Sequence, residues 1–162
     1  MVTLRKMTEK EIRAFKKYSV ADYAEDLIKG QSMSREQALM DAEKEFDRRL
    51  PDGLGTADNF LMNIENANGK NVGWIWFQYD MYGDTDTKQV FLADLLIFES
   101  ERRQGYASAA LNEMNTFAMA DGCSSSALFV WEHNPGGMSL YEKCGYKPKD
   151  RRDGGTFMMK KL

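Results

Sequence analysis

The residues best suited to chemistry lie in one turn, between an apolar segment and a segment with helical periodicity. The apolar residues 90–98 are followed by Arg102 and Arg103, and Gly105 stands where the helical pattern begins. The first amides of a helix have no partners inside the helix and carry a partial positive charge from its dipole. A glycine lets an anion approach these amides, and the arginines add mobile positive charge. The turn therefore predicts a binding site for an anion such as a pyrophosphate.

The residues of this turn also allow two ordinary explanations. Glycine is frequent between a strand and a helix for packing reasons, and paired arginines are often solvated surface. The turn lacks the G-x-G-x-x-G pattern of dinucleotide-binding folds and the G-x-x-x-x-G-K-[ST] pattern of P-loops. A functional interpretation therefore needs support from elsewhere in the chain.

A second segment further along the chain provides that support. It places Asn134 at a predicted helix start, Leu140 and Tyr141 within that helix, and Gly145 and Tyr146 after it. The two segments have the forms R-x-x-G-x-A and N-x-x-G-x-x-L-Y-x-x-x-G-Y. Together they resemble the signature of the GCN5-related N-acetyltransferase (GNAT) family, and the chain looks like an uncharacterised bacterial branch of it.

The resemblance covers roughly residues 72–162 and implies both a fold and an activity. The implied fold is α+β (α/β), with a mixed, mostly antiparallel central sheet flanked by helices. The implied activity is the transfer of an acetyl group from acetyl-CoA to a primary amine, by direct attack in a ternary complex. Acetyl-CoA would be a co-substrate, and the acceptor would be a small-molecule or peptide amine.

The resemblance also implies which residues bind acetyl-CoA. Backbone amides of the turn would bind the pyrophosphate, strand atoms near the end of the apolar segment would pair with the pantetheine arm, and Asn134 would hydrogen-bond the same arm. One departure is Gly137, which stands where the family has a small Ala and which predicts a less helical entry into its segment. The residues expected to bind the cofactor are Leu96, Ile97, Arg102, Arg103, Gln104, Gly105, Tyr106, Ala107, Ser108 and Asn134.

Two residues are the main candidates for proton transfer, and Glu99 and Glu132, which we expect to face solvent, are alternatives for the base. The resemblance implies that Tyr141 protonates the departing thiolate, and packing against a sheet is the alternative role for this side chain. Asp94 is the only charged residue between positions 90 and 98, and a lone carboxylate in a central strand is costly unless it is hydrogen-bonded or paired. Alternation predicts that Asp94 shares a face with Leu92 and Leu96. Asp94 is then a base that acts through water, a residue that orients a cationic amine, or a structural acceptor.

Composition limits the other functions that the chain could have. A net charge of −3 argues against a broad nucleic-acid surface. The single histidine, His133, and the widely separated Cys123 and Cys144 give no metal-binding spacing, so we expect no metal, two free thiols and a loop histidine. No apolar run is long enough to span a bilayer, and the N-terminus has no secretory pattern, so we expect a cytoplasmic protein that does not bind membranes.

Two other function classes fit the sequence. The first is a catalytically silent acyl-CoA-binding domain, which predicts binding without thiol release. The second is an interaction module that uses its basic residues 147–152 on an acidic partner, which predicts indifference to CoA. Within the enzyme hypothesis, Asp80, Asp84 and Asp86 with Asp94 predict attraction of a cationic acceptor. Many relatives pair through edge strands, so a homodimer is a candidate assembly.

The elements that must position these residues follow from periodicity and from capping residues. We expect one domain over residues 1–162, because no linker or repeat divides the chain. Capping boxes at Thr8 and Ser34 predict two early helices, the first stopped by Gly30 and the second ending near Arg49. A strand–helix–strand–helix–strand pattern follows in the second half of the chain.

The remaining boundaries are predicted from apolar runs and turn residues. We expect strands over residues 2–5, 59–64, 72–78, 90–98 and 127–131, and two closing strands around Tyr146 and residues 157–160. Two later helices are expected from Gln104 to Gly122 and from Pro135 to about Cys144, with a final turn at Gly154 and Gly155.

Overall fold

A seven-stranded sheet is the framework of the residues described in this computed structural model, which are 1–81 and 87–162. All neighbouring strands in it are antiparallel except β4 and β5, which are parallel. The predicted fold class is therefore confirmed. In chain order the elements are β1 (Val2–Lys6), α1 (Glu9–Gln31), α2 (Arg35–Arg49), β2 (Asn59–Asn66), β3 (Asn71–Met81), β4 (Lys88–Ile97), α3 (Tyr106–Ala120), β5 (Ser125–Trp131), α4 (Pro135–Lys143), β6 (Lys147–Arg152) and β7 (Gly155–Lys161). Across the sheet the order is β1-β2-β3-β4-β5-β7-β6.

The two faces of the sheet carry separate apolar cores. On one face Ile75 and Phe77 pack with the apolar stripe of α3, which includes Leu111 and Met114. On the other face Trp76 packs with residues of α1 and α2. Successive residues of a strand point to opposite faces, so the fully apolar centre of β3 must be covered on both sides. In the described residues, no helix is long and apolar enough to cross a membrane.

Helix α1 begins where its capping box predicts, but Gly30 does not stop it. The Thr8 hydroxyl accepts a hydrogen bond from the Glu11 amide, and the Glu11 carboxylate accepts one from the Thr8 amide at 2.7 Å. The helix continues through Gln31. A Cβ on Gly30 would lie 2.4 Å from Cζ3 of Trp131. Glycine is therefore required there for close packing against β5, and not for ending the helix.

Other boundaries differ from the prediction by up to three residues, the largest at β3, which continues past the predicted end at Gln78 to Met81. At α2, Ser34 caps the Gln37 amide, but the Gln37 side chain bonds Asp41 instead of completing a capping box. Helix α3 starts at Tyr106, because Gly105 is its N-cap, with φ +81°. The closing turn lies one residue earlier than expected, at Asp153 and Gly154, which both have positive φ.

Strand β4 contains one extra residue that changes which side chains face which core. Leu92 pairs with Phe77 and Asp94 pairs with Trp76, so Ala93 is inserted as a β-bulge. Leu92 therefore lies in the core under α3, whereas Asp94 lies on the face covered by α1 and α2. The prediction that Asp94 and Leu92 share a face is wrong, because a bulge interrupts strict alternation.

The parallel pairing of β4 and β5 covers only four residues of each strand, and beyond it the two strands separate. The two strands pair only from Gln89 with Ser125 to Leu92 with Leu128. Beyond Leu92, β4 continues alongside β3 and no longer pairs with β5. The sheet is therefore split over the second half of β4, with a gap directly beside the bulge.

Candidate active site

A cleft of about 540 Å³ lies at the split between β4 and β5, and three layers of the fold contribute to its walls. Asp94 and Ala93 come from β4, and α1 supplies Ser19 and two further carboxylates. Helix α4 packs on the opposite side of the sheet, yet its Tyr141 also lines the cleft. The gap between β4 and β5 is what lets a residue of that layer reach the space.

Asp94 is held in an environment that disfavours its charge. The hydroxyl of Ser19 in α1 donates to its Oδ2 at 3.1 Å, and the Leu95 amide also bonds the carboxylate. Burial, followed by the nearby Asp22 carboxylate, raises the pKa of Asp94 to about 7, although both hydrogen bonds act in the opposite direction. Protonated and ionised forms of Asp94 are therefore both populated near neutral pH.

Tyr141 keeps its proton over the whole physiological range. Burial raises the pKa of its phenol, and the neighbouring Asp94 charge acts in the same direction. The ring packs edge-on to Tyr146, with centroids 6.1 Å apart. Within residues 1–81 and 87–162 the Tyr141 hydroxyl forms no hydrogen bond, so its proton is available to a ligand in the cleft.

Helix α1 contributes an acidic face to the cleft that the sequence prediction missed. Asp22 and Asp26 are one turn apart, and both line the cleft with Ser19. Burial, followed by the charge of Asp26, raises the pKa of Asp22. The spacing was visible in the sequence, but it is equally typical of a solvated helix face.

His133 joins this acidic face to the other wall of the cleft. Its Nε2 lies 2.6 Å from Oδ1 of Asp26, and its ring stacks on Trp131 with centroids 5.6 Å apart. His133 lies between β5 and α4, so the prediction of a loop histidine is confirmed. The contact ties α1 to the segment that leads into α4.

The turn before α3 leaves its backbone amides without hydrogen-bond acceptors among the described residues, as the start of a helix predicts. No amide from Arg103 to Ser108 donates a hydrogen bond to any described residue, and no side chain caps the helix. Arg103 and Gly105 both have positive φ, at 61° and 81°, which bends the chain into a concave row of amides. Arg102 folds back, and its Nε donates to the Ile97 carbonyl at 3.1 Å.

Asn134 combines a capping role with a position on the cleft. Its Oδ1 accepts a hydrogen bond from the Gly137 amide at 2.9 Å, so its side-chain amide group is left for another partner. A Cβ on Gly137 would lie 2.6 Å from that amide nitrogen. The expectation of a less helical entry is wrong, since α4 is helical from Pro135 onward and the glycine allows the cap to close.

Comparison with known proteins identifies the family to which this arrangement belongs. The model of the acetyltransferase (GNAT) family matches residues 21–146. The chain belongs to the GNAT family. It is 31% identical over 146 residues to the uncharacterised N-acetyltransferase YdgE of Bacillus subtilis, covering 89% of this chain and 90% of that protein. The acetyltransferase is also 29% identical to YycN of the same organism, over 99% of both chains.

Solved structures support the same assignment at the level of the fold. The crystal structure of YycN from B. subtilis superposes with a TM-score of 0.86, at 28% identity, over 94% of this chain and 96% of that one. The PaiA N-acetyltransferase of Thermoplasma acidophilum, solved in complex with coenzyme A, gives a TM-score of 0.68 over 100% and 99% of the two chains. At 16% identity the second comparison concerns the fold alone. The protein is thus an acetyltransferase of the GNAT family, and it has the fold of that family's solved structures.

The residues predicted for the acetyltransferase site fall into two neighbouring groups. Tyr141, Asp94 and Asn134 line the cleft. Leu96 and Ile97 end β4, and the remaining predicted residues form the turn that follows them and the start of α3: Arg102, Arg103, Gln104, Gly105, Tyr106, Ala107 and Ser108. The roles of all these residues stay predictions.

Of the three aspartates predicted to attract a cationic acceptor together with Asp94, only the first lies within the described residues. Asp80 lines the cleft, and its two carboxylate oxygens accept hydrogen bonds from the side-chain Nε2 of Gln78 at 2.9 and 3.2 Å. Asp84 and Asp86 lie outside the described residues. The described part of the acetyltransferase also contains no cluster of three or more His, Cys, Asp or Glu arranged to hold a metal ion.

Proposed function

We propose that this acetyltransferase moves an acetyl group from acetyl-CoA to a primary amine, by direct attack of the amine in a ternary complex. The observation that carries the proposal is the split between β4 and β5, which brings Tyr141, Asp94 and an unpaired strand edge around one space. The open turn before α3 continues from the same strand. A long ligand with an anionic end fits along this edge, with its other end in the cleft.

Acetyl-CoA suits the donor side of this arrangement. The unpartnered amides before and within the first turn of α3 would bind the pyrophosphate, because they are consecutive donors at the positive end of a helix dipole. The edge of β4 at Leu96 and Ile97 would pair with the pantetheine arm as an added strand. The free amide group of Asn134 would donate to the same arm. When bound, acetyl-CoA supplies the thioester from which the acetyl group leaves.

The cleft residues supply the proton transfers that the reaction requires. The amine nitrogen forms a bond to the acetyl carbon, the carbon–sulfur bond breaks, and the departing sulfur takes the phenolic proton of Tyr141. The surplus proton on nitrogen passes to Asp94, directly or through water. An amide of β4 at Leu96 or Ile97 donates to the carbonyl oxygen as negative charge develops there. Positioning of the two reactants supplies much of the remaining acceleration.

Asp94 is a suitable base because its pKa of about 7 lies near the working pH. The Ser19 hydroxyl orients the carboxylate, which lines the cleft beside it. A purely structural acceptor is the alternative role. The pH dependence of turnover separates the two, since a base requires kcat to rise with pH through about 7.

The proposal is tested by following free thiol while the protein is incubated with acetyl-CoA and a panel of amines, amino acids and peptides. Turnover on an amine supports it. Thermal stabilisation by CoA without turnover on any amine would support the silent acyl-CoA-binding domain instead. No stabilisation by CoA well above micromolar concentration would overturn the assignment of the donor site.

A matched pair of glycine variants tests the anion-binding turn. Gly105 and Gly69 both have positive φ, at 81° and 73°, and a Cβ at either would meet no protein atom within 4 Å. We expect Gly105→Ala and Gly69→Ala to lose similar stability, about 1 kcal/mol from backbone strain. Only Gly105→Ala should also weaken CoA binding, by about tenfold, because its methyl group and shifted amides face the pyrophosphate. Equal CoA affinity in the two variants would contradict the proposed cradle.

The acceptor and partner predictions rest on charge and on strand edges. The carboxylates of Asp22, Asp26 and Asp94 would attract a cationic amine, and the salt dependence of kcat/KM tests this steering. Strand β6 is exposed along its length and carries Pro148 among charged residues, which discourages edge-to-edge pairing. A homodimer would then use another surface, and sedimentation of the protein tests for it.

A further inference from the structure

Arg49, the last residue of α2, places a cation on the wall of the cleft between β4 and β5, where the proposed amine acceptor would bind. Its guanidinium lies 4.5 Å from the ring centroid of Trp76 and 5.9 Å from that of Phe91. Its Nη2 donates to Oε1 of Gln78. Burial lowers the pKa of Arg49, which still stays charged because a guanidinium does not lose its proton in proteins. The chain therefore keeps a desolvated positive charge beside the proposed reaction space.

The carboxylates of Glu45 and Asp80 both act on Arg49 through their charge, and both accept hydrogen bonds from other side chains. Glu45 accepts two hydrogen bonds from Arg48, at 2.8 and 2.7 Å. Asp80 accepts both of its described hydrogen bonds from Gln78. Among the described residues Arg49 forms no ion pair, although Arg48, one position earlier, does. An arginine has five N–H donors, and Gln78 uses one of those on Arg49, so donors remain for a ligand.

The position of Arg49 relative to Asp94 sets the ligand geometry. Trp76 pairs with Asp94 in the sheet, and Gln78, two residues further along β3, pairs with Phe91. Two residues along a strand span about 7 Å. Arg49 contacts Trp76, which pairs with Asp94, and also Gln78 and Phe91, the next pair on that face, and it lines the same cleft as Asp94. The cleft thus has carboxylates at the Asp94 end and, at the other end, the Arg49 guanidinium near the Asp80 carboxylate.

We propose that the acceptor is an amino acid, whose amine is held at Asp94 and whose carboxylate is held by the guanidinium of Arg49. This inference rests on the proposed function, since it names the substrate class of the same site. A planar guanidinium matches a carboxylate with two parallel hydrogen bonds. Arg49 also repels a second ammonium group, so simple diamines and polyamines are poor acceptors.

The test compares each amino acid with its methyl ester, which keeps the amine but removes the negative charge. The standard amino acids and a series of ω-amino acids are supplied with acetyl-CoA, and thiol release is measured. For the best acceptor we expect kcat/KM of the acid to exceed that of its ester by roughly tenfold to a hundredfold in the wild type. In Arg49→Gln that ratio should fall to near one, mainly through a higher KM of the acid, and Arg49→Lys should restore part of it.

Controls separate this role from a structural one. Arg13→Gln changes the net charge equally at an exposed position of α1 and should leave the acid-to-ester ratio unchanged. Stabilisation by CoA should be retained in Arg49→Gln, which shows that the fold and donor site are intact. A preference for esters or diamines in the wild type, or an acid preference that survives Arg49→Gln, overturns the inference while leaving amine acetylation standing. Absence of both CoA stabilisation and turnover overturns the proposed function itself.

Discussion

Replacing Asp94 with asparagine should abolish most of the activity and at the same time make the protein more stable at alkaline pH. Burial and the charge of Asp22 raise the pKa of Asp94 from 3.8 to about 7, so the fold favours the protonated carboxyl. The stability that this preference contributes is fully present below about pH 4 and is lost as pH rises through about 7. The neutral amide of Asp94→Asn would resemble the protonated carboxyl at every pH.

The expected size of the effect follows from the shift. A change from 3.8 to about 7 is about three pKa units, and each unit is worth about 1.4 kcal/mol, so about 4 kcal/mol is the upper limit. Asp94 is only partly buried by its accessible surface, and this exposure reduces the penalty on the charged form. We expect about 2 kcal/mol of extra stability for Asp94→Asn at about pH 8, or roughly 4–8 °C in Tm.

The measurement is chemical or thermal unfolding of wild type and Asp94→Asn at several pH values, with Glu113→Gln as the control. Glu113 is an exposed carboxylate of α3, so its replacement should not change the pH dependence. The two curves for wild type and Asp94→Asn should converge at low pH and separate as pH rises. A variant that is equally destabilised at every pH would show that Asp94 is an ordinary structural acceptor in its ionised form.

Two further substitutions probe the walls of the cleft. Tyr141→Phe should lower kcat by about a hundredfold while leaving CoA affinity nearly unchanged, because only the phenolic proton is lost; a change of less than about threefold would exclude Tyr141 as the acid. Gly30→Ala should destabilise the protein by about 1–3 kcal/mol and raise the acceptor KM, because a Cβ there collides with Trp131 on the cleft wall. Gly136→Ala, whose Cβ meets nothing closer than 3.9 Å, is its control and should be neutral or slightly stabilising.

The order of elements and the donor side were predictable because their signals are local. A capping box at Thr8, a glycine at position 105 and an asparagine before Pro135 each act on amides within a few residues of themselves. Apolar runs marked β3 and β4 for the same reason. The family resemblance then connected two such local signals into one expected site.

The acceptor side could not be predicted, because its residues act across the fold. Asp22 and Asp26 have helical spacing, but nothing in the sequence places them opposite His133, which lies more than a hundred positions later. Arg49 has the same local pattern as Arg48, and only the packing of α2 on Trp76 distinguishes them. Gly30 was interpreted as a helix stop because its contact with Trp131 is invisible along the chain.

The bulge at Ala93 makes the length of β4 as important as its composition. Deletion of Ala93 would leave Leu92 and Asp94 on the faces that they occupy now, because the two residues already pair with adjacent positions of β3. The deletion would instead remove the local bend and extra twist that a bulge gives to its strand. A straighter β4 would be free to continue its ladder with β5 past Leu92, where the pairing now stops. The shortened chain would then keep Asp94 and Tyr141 but lose the gap between β4 and β5 through which Tyr141 reaches the cleft. One unreactive alanine would therefore control whether the two reactive side chains can meet the same ligand.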